Sequence, residues 1–91
     1  MDFSPVRGPG DAHLYLRIAA VLEEAIRSGE LPARSPLPSE TVLVQETDAA
    51  RNTVRKAIAH LRERGLAYTV AQLGSFAAPS SSWKDPGRPS L

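Results

Sequence analysis

Apolar residues recur at helical spacing from Leu14 through Ile18, Val21, Leu22, Ala25 and Ile26. That period lines one face of a first helix, which Asp11 can cap and Gly29 can stop. The next stretch, GELPARSPLP, holds three prolines and cannot prolong the helix, because each ring removes a backbone donor and fixes φ. Ser39 then supplies an N-cap for a short second helix, with Val42 and Leu43 facing inward and an end near Thr47. A third helix starts after Asp48 or Ala49 and runs to Gly65. Val54, Ala57, Ile58 and Leu61 fall together on its wheel, and Arg51, Asn52, Arg55, Lys56, Ala59 and Arg62 lie toward the opposite side. The sequence LAYTVAQLGSFAAP, rich in β-branched and aromatic residues, reads as a hairpin of strands 66–70 and 74–78, with Gly74 near the turn.

Two short helices meeting at a tight turn, the second of them basic and followed directly by a hairpin, describe a winged helix-turn-helix. The expected fold is therefore mainly α with a small β-hairpin: three helices plus a two-stranded wing, spanning residues 11–79. Residues 1–10 and 80–91, rich in Pro, Gly and Ser, read as flexible tails. Trp83 is the exception, a large aromatic that docks on the core or on a partner, or else sits there without a role, and docking is the expectation.

Composition narrows the chemistry. The 91 residues include no cysteine, which rules out disulfides and thiolate metal sites, and His13 and His60 lack the close spacing of a metal pair. No cofactor is expected. The start lacks the apolar run of a secretion signal, and no later stretch approaches a membrane span, so the expectation is a soluble cytoplasmic protein with no membrane partner. Net charge is only +1, yet it is unevenly spread. Residues 1–50 carry four arginines against eight carboxylates, whereas residues 51–91 carry seven cations against two. Most of that excess lies on the third helix.

A charged outer face is what any amphipathic helix shows to solvent. Here the one acidic residue of the helix, Glu63, sits near its end, so most of the cations have no carboxylate one turn away. A helix fits the major groove of B-DNA, where Arg pairs with guanine and Asn with adenine, and other cations neutralise phosphate. Arg51, Asn52 and Arg55 occupy the first turns, the part that reaches base edges in such modules. Ala59 leaves the outer side slim. Elsewhere, Glu23, Glu24 and Arg27 read as a solvated helix face, Ser39 as a cap beside Glu40, and Tyr15, Tyr68 and Phe76 as packing. No catalytic constellation emerges, and the chain is not expected to be an enzyme.

With YLRIAAVLEEAIRSGEL, LPSE at 37–40, RNTVRKAIAHLRERGL at 51–66 and GSFAAP in order, the chain from Tyr15 to about Ala78 resembles the N-terminal DNA-binding domain of GntR-type bacterial transcription regulators. The resemblance implies binding to double-stranded operator DNA, usually palindromic, by a dimer. Carried onto this sequence, it makes Arg51 and Arg55 the basic contacts of the recognition helix, with Asn52, Thr53 and Lys56 beside them. Ser39 matches a phosphate contact at the start of the second helix. Residues 71–75, including Gln72 and Gly74, match the loop laid into the minor groove.

The sequence also departs from the family pattern. Thr41 stands where a basic residue often follows LPSE, the turn reads Thr47, Asp48, Ala49, Ala50 with Asp48 in a position to take over capping, and the wing tip carries Gln72 and Leu73 in place of Gly and a cation. Weaker or more selective DNA binding is expected. Family members continue into a ligand-binding domain, so no small-molecule effector is expected within these 91 residues. The alternative reading is a winged helix that contacts another protein through Leu73 and Trp83.

Overall fold

The computed structural model describes residues 1–3 and 13–84. Helix α1 spans Leu14–Ser28 and buries Leu14, Ile18, Leu22, Ala25 and Ile26, as their spacing predicts, together with Ala19; Val21 is half-buried. Its end is the left-handed Gly29, φ 90°, whose N–H donates to Ile26 O at 3.3 Å. His13 occupies the N-cap position, and Asp11 lies outside the described residues.

Helix α2, Glu40–Thr47, begins where Ser39 Oγ accepts from Val42 N at 3.1 Å, as a capping serine should. Its inward face differs from the expected one. Leu43 is fully buried but Val42 is exposed, and the second buried residue is Thr47. The Thr47 hydroxyl donates to Leu43 O at 2.6 Å and accepts from Ala49 N at 3.3 Å, which is how a polar side chain is accommodated inside. Asp48 then turns the chain in the left-handed region, φ 59°, and its N–H donates to Val44 O at 2.9 Å. It closes α2 and does not cap the next helix. Helix α3, Arg51–Glu63, follows an N-cap at Ala50 that has no side-chain hydrogen bond to offer.

Val54, Ala57 and Leu61 of α3 are fully buried against α1, and Ile58 is half-buried. Each fully buried leucine here, Leu22, Leu43, Leu61 and Leu66, contributes about 1.5–3 kcal/mol of transfer free energy. Strand β1, Ala67–Val70, pairs antiparallel with β2, Gly74–Ala77, so the hairpin is one residue shorter at each outer end than its pattern suggests. Tyr68 stacks on Phe76 across the pair, with ring centroids 5.6 Å apart. The proline-rich stretch is more than a crossing: Leu37 N donates to Ser75 O and Ala77 N to Ser35 O, both at 2.9 Å, covering the outer edge of β2.

Both expected tails are drawn into the fold in part. Phe3 is buried in the core, and the Met1 amino group pairs with Glu30; residues 4–10 lie outside the described residues. At the other end Ser80–Ser82 form a 3-10 turn and Trp83 docks on its own domain, with Nε1 donating to Ala78 O at 3.2 Å and the Arg27 guanidinium carbon 4.9 Å from the ring centroid. Ser82 Oγ and Lys84 N each donate at 2.8 Å, to Gly65 O and Arg64 O. Gly65, φ 74°, permits this approach, because a Cβ there would lie 1.9 Å from Ser82 O. Residues 85–91 lie outside the described residues.

Candidate nucleic-acid interface

A helix repeats every 3.6 residues, so Arg51, Arg55 and Arg62 fall within about 40° of one another on α3. All three are exposed. The stripe they form faces the start of α2 and the wing. At its upper end one carboxylate organises two of them: Arg51 Nη1 donates to Glu40 Oε1 at 2.8 Å and Arg55 Nε to Glu40 Oε2 at 2.9 Å.

That bridge gives Arg51 and Arg55 the carboxylate that α3 itself does not offer them. Their partner is not one turn away along α3 but on α2, 11 and 15 residues earlier, because the helix-turn-helix lays the first turn of α2 beside α3. The hydrogen bonds from Arg55 and then Arg51 hold the Glu40 carboxyl below its ordinary range, and the same carboxylate raises the Arg55 guanidinium. Arg51 and Arg55 remain 48% and 60% exposed, so the bridge orients them without hiding them. Arg55 is held through Nε, which leaves both Nη groups to form the fork that a guanine edge or a phosphate accepts. Glu40 was invisible as a site residue in the sequence; its signal is a carboxylate in the first turn of a helix that packs across a basic one.

The other expected residues are placed unevenly. Asn52 is exposed beside Arg51, and Thr53 is half-buried. Ser39 and Gly74 line one groove with Glu40, Arg55 and Arg62, about 480 Å³ in volume, between α2, α3 and the hairpin. Lys56 stands apart from that groove: its Nζ sits 5.2 Å from the Tyr15 ring centroid, on the α1 side of α3. Gln72 lies at the exposed wing tip with φ 69°, in the left-handed region where the family pattern has glycine. Next to it Leu73 is 72% exposed. No residue from Leu66 to Ser82 is charged, so the wing presents hydroxyl, amide and apolar groups only. Among the described residues no group of acidic, His or Cys side chains could hold a metal ion, and no helix is long and apolar enough to cross a membrane.

Comparison with known proteins agrees with this architecture. The family model for bacterial regulatory proteins, gntR family, matches residues 14–76. The chain is 34% identical over 71 residues to the histidine utilization repressor of Pseudomonas putida, covering 78% of this chain and 29% of that protein. It is 36% identical over 63 residues to the HTH-type transcriptional repressor NagR of Bacillus subtilis, covering 69% and 26%. The chain thus spans little more than a quarter of the length of these curated relatives. Among solved structures, AraR(DBD) in complex with operator ORX1 superposes with a TM-score of 0.70 at 31% identity, over 79% of this chain and 90% of that one.

Proposed function

Because the chain belongs to the GntR family of bacterial regulatory proteins, we propose that it binds double-stranded DNA sequence-specifically and regulates transcription. In this reading α3 enters the major groove, Arg51, Asn52 and Arg55 meet base edges, and Thr53, Lys56 and Ser39 meet phosphates. Gln72 and Gly74 approach the adjacent minor groove. A homodimer spans the two half-sites of a palindromic operator, in the cytoplasm, and neither a catalytic step nor a small-molecule effector is assigned to these residues.

The observation that carries the reading is the pair of exposed guanidiniums on successive turns of α3, both aimed by Glu40. Prepositioned forks lose less side-chain entropy on binding than free ones. The solved complex of AraR(DBD) with operator ORX1, a domain of similar sequence and fold, supports it. The protein-contact alternative loses one of its two anchors, since Trp83 is occupied within the domain by Ala78 and Arg27.

Selection of bound sequences from a random duplex library is the test. A short enriched motif, repeated with two-fold symmetry at a spacing of about one helical turn or a multiple of it, is the expected result. Recovery of unenriched sequence would overturn sequence-specific binding, and a single unrepeated half-site would overturn the dimer.

A further inference from the structure

The three arginines of the α3 stripe are not held alike. Arg51 and Arg55 are bound to a carboxylate, Glu40, and Arg64 on the other side of the helix end is bound to Glu23. Arg62 has no carboxylate within ion-pair reach among the described residues. Its Nη1 instead donates to Thr69 Oγ1 of β1 at 3.1 Å, and Thr69 Oγ1 is 3.0 Å from Ser75 Oγ of β2. One hydroxyl, itself held by a second, receives the guanidinium but does not cancel its charge. Pairing with a hydroxyl thus leaves a positioned cation that still lacks an anion.

Arg62 also stands at a particular place. It lines the groove between α3 and the hairpin, with Arg55, Thr69 and Ser75 around it and Ile58 and Leu37 among its apolar residues. About 10 Å of helix separates Arg62 from Arg55. A major groove and the minor groove next to it are separated by one sugar-phosphate strand. If α3 lies in the first and the wing in the second, that strand has to cross this groove.

We propose that Arg62, positioned by Thr69 and Ser75, is a phosphodiester ligand for the DNA strand that passes between α3 and the wing. The proposal rests on the DNA-binding reading above. It gives the uncharged wing an electrostatic anchor that its own residues lack, supplied from the end of the neighbouring helix. Three cations of the stripe against one carboxylate, Glu40, leave the surface net positive where the strand runs. The ligand is backbone, so Arg62 contributes affinity and salt dependence but no base preference.

The test uses the full chain and a 30-base-pair duplex, a length on the order of three helical turns, selected from random sequence by the wild-type protein. Affinity is measured between 50 and 200 mM salt for wild type, Arg62→Gln, Arg62→Lys and Thr69→Val, conditions over which one phosphate contact contributes about 0.9 to the log-log slope. Arg62→Gln should lower the slope by about 0.9, so that its shortfall against wild type shrinks about 3.5-fold across that range, with the selected motif unchanged. Arg62→Lys should keep the slope, and Thr69→Val should weaken binding while keeping it. Single methylphosphonate replacements, which remove one backbone charge at a time, should include a position that weakens the wild type and leaves Arg62→Gln unaffected. Arg62→Met, which keeps the aliphatic stem, replaces Arg62→Gln should circular dichroism show the latter unfolded. An unchanged slope with no such silent position, while Arg55→Ala still weakens binding, overturns the phosphate site and spares the DNA-binding reading. Absence of salt-dependent binding by the wild type overturns both.

Discussion

Replacing Gly65 by Ala tests how the chain after the wing is held, and its cost can be worked from two separate sources. Gly65 has φ 74°, a conformation that costs an L-residue about 1–2 kcal/mol. The new methyl would also lie 1.9 Å from Ser82 O, a backbone atom that cannot swing aside, so residues 82–84 have to leave. Three hydrogen bonds go with them, Ser82 Oγ to Gly65 O, Lys84 N to Arg64 O and Trp83 Nε1 to Ala78 O, at about 0.5–1.5 kcal/mol net apiece. The full chain should therefore lose about 2.5–6.5 kcal/mol, a large share of the total stability of a small domain. Urea denaturation followed by circular dichroism measures that loss. Trp83, the sole tryptophan, gives a second signal, because its emission should move to the red once the ring leaves Ala78 and Arg27. Truncation after Ser81 removes the clash in advance, and in that background the same substitution should cost only the backbone part, about 1–2 kcal/mol. Equal costs in the two backgrounds, with unshifted emission in the full chain, would refute the docking of residues 82–84.

Ala50 has N-cap geometry, φ −65° and ψ 151°, but no capping side chain, so Ala50→Ser should stabilise the domain by about 1 kcal/mol in urea melts; no gain would mean that α3 needs no cap. Leu73→Lys places a cation at the tip of an otherwise uncharged wing and should tighten DNA binding and steepen its salt slope by about 0.9, whereas an unchanged slope would keep the tip away from the duplex. Burial pushes the Glu23 carboxyl up, but hydrogen bonds from Arg27 and Arg64 outweigh this and hold it below its ordinary range. A carboxyl lowered in the folded state contributes stability above its unfolded value and forfeits it as pH falls through the folded one. Wild type should hence lose more stability than Glu23→Gln between about pH 5 and pH 3, and parallel acid limbs would count against the pair.

The long amphipathic elements were legible because their burial follows their period. Ile18, Leu22, Val54, Ala57 and Leu61 are buried where a helical wheel puts them, and Ser39 caps α2. The eight residues of α2 span little more than two turns, too few for a pattern to choose a face, and so the buried Thr47 was hidden behind Val42. Asp48 reads as an N-cap by residue type; its left-handed φ, which Asp tolerates better than most residues, makes it the end of α2 instead. Prolines at 32, 36 and 38 signal a break in the helix, yet carbonyl and N–H groups of Ser35 and Leu37 still reach β2. Phe3 and Trp83 lie in stretches whose composition reads as tail, and one aromatic ring finding the core outweighs that composition locally.

At the site, the recognition-helix cations were legible and their carboxylate was not, since a bridge between helices leaves no short-range spacing to detect. Glu40 joins Arg51 and Arg55 only after the turn at Thr47–Ala50 sets α2 across α3. The same holds for the Arg62, Thr69 and Ser75 chain, which spans three elements.

Base readout by α3 is measured by the affinity of wild type and Arg55→Ala for the selected duplex and for a scrambled one of equal length and composition. A fork reading a base edge should make the substitution cost about 1–3 kcal/mol, roughly 5- to 150-fold, on the selected duplex and much less on the scrambled one. Equal affinity of the wild-type chain for both duplexes, or no loss on replacing Arg55, would rule out base readout by α3.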